Sequence, residues 1–268
     1  MNRLKIILGY LFGFIFAISL SLLIGLVLVK STLFNKSYIK NLFVKNNYSS
    51  YIYKSIDENM KDYMVSSGLP ESILDGLYTE DDIKSELNNY LNSVYSGKVY
   101  NTNKSVIEGK IRENIDAFMK SHNLGISDTE ELDSFISEIT DYYSNEITLY
   151  RVLDRFVIYV PKVIKYINYS LIVVSVLCVV NLIGILWCRF YVSSSIMSSG
   201  IILVLIRLFI FNNIDYKNIL IFNEYFSIVL RYILNIYNKY ILIIGLLLIV
   251  GGIILSLFKN SKFFVEKK

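Results

Sequence analysis

Apolar residues run without a charge from Ile6 to Val29, and the chain then turns polar. Twenty or so apolar residues cover a ~30 Å hydrocarbon core as a helix. The first run, 24 residues preceded by Arg3 and Lys5, is therefore long enough to span. It is too long for a cleavable leader, whose apolar region is about 7–15 residues and ends in an A-x-A-like site. We read an uncleaved signal anchor over residues 1–29. Three further runs of comparable length follow: Asn168 to Cys188, Val192 to Phe211, and Tyr240 to Phe258. The second and third are close enough in sequence to form a tight hairpin over residues 166–211. A basic tail, residues 259–268, ends the chain.

Between the first and second spans, residues 30–165 are polar with helical periodicity. Tyr38, Leu42, Val44, Tyr48, Ile52, Ile56, Met60 and Met64 recur mostly at steps of four, which suits a helix and not a strand. This predicts one helix from about Ser37 to Ser67, stopped by Gly68 with Pro70 beyond. Thr79 before Glu80, Asp81 and Asp82 reads as a cap followed by first-turn carboxylates. That second helix closes at Gly97. A third runs to about His122 and is closed by Gly125. Ser127 with Glu130 reads as a capping box. From Leu132 to Val157 an apolar stripe predicts a long last helix that runs, kinked near Pro161, into the second span. The expected fold is an all-α membrane protein. Four transmembrane helices carry an extracytoplasmic antiparallel helical bundle inserted between the first and second.

Residues 212–239 are apolar but carry Glu224 and Arg231 seven apart, nearly two turns, so both charges share one face. We expect an interfacial helix there, or a re-entrant segment, before a separate last span over 240–258. With four spans both termini share one side. Lys and Arg near that side number seven, against three in the other short loop, which favours termini inside and residues 30–165 outside.

Composition agrees with this picture. The 268-residue chain is 54% hydrophobic with mean hydropathy +0.47, and it has only two prolines. Heavy use of Tyr, Ile, Asn and Lys fits a bacterial genome rich in A and T. The net charge of +4 hides a division. All 20 carboxylates of residues 30–165 lie between Asp57 and Asp154, where ten Lys or Arg leave residues 46–161 at −10. Six lysines flank the membrane ends instead. A basic collar suits lipid headgroups, and the distal acidity follows from carboxylates at helix starts. Basic residues are not interleaved with aromatics, so nucleic acid is not an expected partner.

Candidate chemistry is sparse. Phosphate-binding glycine loops, a dinucleotide fingerprint, HExxH and a nucleophile elbow are all missing. The one histidine, His122, sits at a helix end where an imidazolium suits the dipole. Cys178 and Cys188 lie ten residues apart on one helix and cannot bridge. We expect no catalytic, cofactor or metal residue, and no cofactor. The polar residues inside the spans are the better candidates. Asn181 and the pair Ser198 and Ser199 lie at matching depths across the hairpin, which predicts an interhelical hydrogen bond. Arg207 lies about four residues, roughly 6 Å, from the end of the third span. It either snorkels or pairs with Glu224 or Asp215.

One pattern points to close packing. Gly9, Gly13, Ala17, Ser21 and Gly25 repeat every four residues along the first span. Small residues at this spacing let helix backbones approach. Each step drifts about 40° around a helix, so one straight partner follows two or three rungs. We expect Gly9 and Gly13 to meet one neighbour and Ser21 and Gly25 another. Gly251, Gly252 and Ser256 of the fourth span are expected beside Gly9.

The layout also resembles a loosely defined group of four-span membrane proteins of Gram-positive bacteria. The resemblance rests on Gly68-Leu69-Pro70, Thr79-Glu80-Asp81-Asp82 and Tyr95-Ser96-Gly97 within one first-loop domain, followed by three spans. It implies the arrangement and carries over no catalytic residue, ligand or partner. The expected role is non-enzymatic sensing or interaction, with the external domain coupled to the membrane helices. Its expected partners are the lipid bilayer and another membrane or envelope protein, or a second copy of the chain. An accessory subunit of a transporter, channel or export system is the alternative.

Overall fold

In the computed structural model, residues 3–123, 129–149, 157–188, 192–216, 218 and 224–265 are described, with 129, 224, 225 and 259–265 described as helix only. The protein is all-helical, and among the described residues there is no strand. Four helices are long and apolar enough to cross a membrane. The chain divides into two compact units: residues 36–162 with 221–229, and the remainder.

In sequence the elements are α1 (Arg3–Ser31), α2 (Lys36–Lys45), α3 (Tyr48–Ser66), α4 (Glu80–Ser96), α5 (Lys104–Ser121) and α6 (Thr129–Ile147). Then come α7 (Tyr159–Trp187), α8 (Val192–Asn213) and α9 (Glu224–Val265). A short 3₁₀ turn, Glu71–Leu74, lies between α3 and α4.

Where one helix was expected over residues 37–67, the structure has two. Asn47 takes φ 50°, the left-handed region, and Asn46 bonds back to the Leu42 carbonyl at 2.8 Å. Asn tolerates that conformation better than other side-chain-bearing residues, so the Asn-Asn pair breaks the helix. The break shifts the phase of the apolar stripe. Ile39, Leu42 and Phe43 are buried in α2, whereas Val44 is exposed. In α3 the predicted positions Tyr48, Ile52, Ile56, Met60 and Met64 are all buried.

Helix α3 packs on α4 and α6, and α5 joins through α6 and the 3₁₀ turn; Ile83, Leu87, Tyr90 and Leu91 of α4, Ile111 and Ile115 of α5, and Ile136, Ile139 and Tyr143 of α6 are buried in the core of this unit. The start of α4 is a full capping box. Thr79 Oγ1 accepts from the Asp82 amide at 3.2 Å, and Asp82 accepts from the Thr79 amide at 2.9 Å. The Thr79 hydroxyl, which also donates to Asp82 Oδ2 at 2.7 Å, and then the Thr79 amide hold the Asp82 carboxyl below its ordinary value. At the other end Gly97 takes φ 73°, and a Cβ there would lie 2.9 Å from Pro161 Cγ. Glycine is required on both counts. Ser127 and Gly125 lie outside the described residues.

The last helix of the bundle is shorter than its stripe. Helix α6 ends at Ile147, and Leu149 takes φ 51°. Pro161 falls in the first turn of α7, where its missing N–H costs nothing. It therefore starts a helix and does not kink one.

The helix that carries the fourth span is longer than expected. Helix α9 runs 42 residues without a break, so residues 224–239 are not a separate interfacial helix. Nothing in Phe226 to Lys239 breaks a helix: the stretch has no Gly and no Pro.

Candidate functional site: polar seams in the membrane unit

Helix α1 packs mainly along α8. Gly9, Gly13, Ala17 and Ser21 are buried, as are Ser195 and Ser199 opposite. The Ser21 and Ser199 hydroxyls lie 3.0 Å apart, and Ser21 Oγ is 2.8 Å from the Ala17 carbonyl. With the Ser21 proton on that carbonyl, Ser199 donates into Ser21. The hydroxyls are thus satisfied within lipid, where an orphan polar group costs several kcal/mol, of order 2–7.

The ladder serves one neighbour, not two. Ala17 and Ser21 both face α8, while a Cβ on Gly25 would meet nothing within 4 Å. The 40° drift per rung carries Gly25 off the contact. The second neighbour, α7, meets phenylalanines instead. A Cβ on Gly184 would lie 2.7 Å from the Phe12 ring, and Phe16 packs with Val174, Cys178 and Ile185. Cys178 Sγ donates to Ser19 Oγ at 3.3 Å. At that end of α1, Lys5 lies 5.1 Å over the Trp187 ring.

Helix α9 also lands elsewhere than expected. Gly252 faces α8, where a Cβ would meet the Ser193 carbonyl at 2.8 Å, and a Cβ on Gly251 would meet nothing within 4 Å. One heptad away, a Cβ on Gly200 would lie 2.5 Å from the Gly245 carbonyl. A further heptad away, Arg207 Nε donates to Asn238 Oδ1 at 2.7 Å. Ser193, Gly200 and Arg207 on α8 thus oppose Gly252, Gly245 and Asn238 on α9, seven residues per step. A seven-residue period keeps one seam facing one partner along the whole contact. Each half of this signal stands in the sequence. The step of four in α1 is denser and draws attention first.

Of the two predicted acidic partners, Asp215 instead accepts from Asn218 at 2.8 Å, and the Glu224 side chain lies outside the described residues. Asn238 Nδ2 in turn donates to the Tyr216 hydroxyl at 2.9 Å. Nor does Asn181 reach the serines. It is buried and donates to its own Leu177 carbonyl at 2.7 Å. Ser199 is taken by Ser21, and Ser198 is exposed. Ser198 lines an open groove of about 420 Å³ with Gly13, Ala17 and Ser195.

In the other unit the notable polar group is Glu86 of α4, only 3% exposed. Tyr100 donates to its Oε2 at 2.7 Å, and its Oε1 has no partner. Burial, then the Glu86 bond, pushes the Tyr100 phenol well above its ordinary value. Burial alone pushes Tyr95 up to about 12. These phenols stay protonated donors. His122 is exposed, with Nδ1 2.9 Å from the Phe118 carbonyl. Among the described residues no three of His, Cys, Asp and Glu gather within reach of a metal ion.

No family model, curated protein or solved structure matches the chain.

Proposed function

We propose that this is a non-enzymatic sensing or interaction protein of the cell membrane, with both termini cytoplasmic and residues 30–165 outside. The external helical bundle binds an envelope component or a protein partner, and the membrane helices carry the effect across. One observation carries the reading: two helices have residues in both units. Residues 159–162 of α7 and 224–229 of α9 belong to the loop-domain unit, and the rest of each helix belongs to the membrane unit. A continuous helix passes on a shift or rotation of one end to the other. The output passes to another membrane protein, or to a second copy of the chain.

The test uses the full chain purified from native membrane after chemical cross-linking, with partners identified by mass spectrometry. A variant with residues 36–162 replaced by a linker serves as control. A stoichiometric membrane partner that is lost in the control is expected. Solute transport or conductance by the purified chain alone in liposomes overturns the reading. The second reading, an accessory subunit of a transporter or channel, draws on the charged Arg207 beside an apolar span. It requires that Arg207→Leu abolish the activity of the assembled system.

A further inference from the structure

We infer that Arg207, oriented by Asn238 and Tyr216, binds the phosphate of an anionic phospholipid at one face of the bilayer. The argument begins with depth. The charge-free run of α1, residues 6–29, has its midpoint at Ala17 and Ile18. Ser21 stands opposite Ser199 on the parallel helix α8, so that midpoint lies beside Ser195 and Ile196. The charge-free run of α9, residues 240–258, has its midpoint at Ile249. Through the antiparallel heptad seam, Ile249 also falls level with Ile196. Two independent helices thus place the midplane at one residue of α8.

Arg207 is eleven residues further along, about 16 Å at 1.5 Å per residue. That is the edge of a ~30 Å hydrocarbon core. Arg207 is therefore not sunk in the third span. It sits at headgroup level, where Thr32, just past α1, is also hydrogen-bonded to Tyr237 of α9.

The second part is chemistry. A snorkelling arginine needs no orienting partner, yet here Nε is fixed by Asn238, which is itself held by Tyr216. Both partners are neutral, so neither compensates the charge. Among the described residues no carboxylate forms an ion pair with Arg207. The two Nη groups keep their donors in a fixed fork, the geometry that takes a phosphate bidentately. The flanking side chains decide the source of that phosphate. Leu205, about 14 Å from the midplane, is 58% exposed at the acyl-chain edge, and Phe209, beyond Arg207, is 75% exposed. A lipid phosphate is held at this level by its own tails, which cover Leu205; a free anion has no apolar part to cover these side chains.

The test titrates the full chain in neutral detergent with phosphatidylglycerol or phosphatidylcholine and reads lipid adducts by native mass spectrometry. The wild type is expected to prefer phosphatidylglycerol, and Arg207→Gln to weaken that lipid about tenfold and erase the preference. Binding by the variant within about twofold of wild type overturns the site. So does displacement of the lipid by millimolar inorganic phosphate, which marks a soluble-anion site. If Arg207→Gln fails to fold, the wild type is irradiated with a photoreactive phosphatidylglycerol. Adducts on residues 205–209 or 236–240 support the site, and adducts confined to other residues overturn it.

Discussion

At Glu86 a carboxylate is buried with one oxygen bonded to Tyr100 and the other bonded to nothing. Truncation and neutralisation should therefore have different effects. Glu86→Ala leaves a cavity and a buried phenol without its acceptor, costing about 2 kcal/mol. Glu86→Gln keeps a carbonyl for Tyr100 and removes a poorly solvated charge, so it should be neutral or stabilising. Hydrogen exchange over residues 83–96 separates the two. Roughly thirtyfold faster exchange is expected for Ala and no acceleration for Gln, if that segment opens as a unit. Equal acceleration by both would show that the second oxygen is well served. The same scale explains Asn47. Its left-handed φ divides a stretch that apolar spacing alone reads as continuous.

At the scale of elements, glycines of similar sequence context differ in what surrounds them. A Cβ on Gly200 would press on the backbone of α9 at 2.5 and 2.9 Å, whereas one on Gly251 meets open space. Gly200→Ala must push α8 and α9 apart, a strain of about 1–3 kcal/mol. Gly251→Ala and Gly25→Ala should cost nothing, because alanine favours a helix more than glycine does. Thermal melting of the three variants in one detergent checks this ordering. A stable Gly200→Ala beside a destabilised Gly251→Ala would refute the heptad seam between α8 and α9. Near Gly25 and Gly251 the sequence shows small residues at helical spacing, but not which of them has a neighbour. That depends on the crossing of two helices far apart in the chain.

For the whole molecule, the open question is which side of the membrane holds residues 36–162. Val99 is 70% exposed, which suits it as a labelling reporter. In a Cys178→Ala, Cys188→Ala background, Val99→Cys should react with a membrane-impermeant maleimide on intact cells. Labelling only after permeabilisation would reverse the orientation and withdraw the external role.

The sequence by itself determined the four apolar spans, the helical loop domain and the caps at Thr79 and Gly97. These depend on length, periodicity and local hydrogen bonding, all written within a few turns of chain. The tertiary structure decided the partners: Ser199 with Ser21 and not Asn181, Gly252 with α8 and not Gly9, and Arg207 with Asn238 and not Asp215. The physical reason is that lipid favours no apolar surface over another. Backbone approach and hydrogen-bond satisfaction alone choose the neighbour. Both are properties of a pair of helices, and neither appears in one helix read alone.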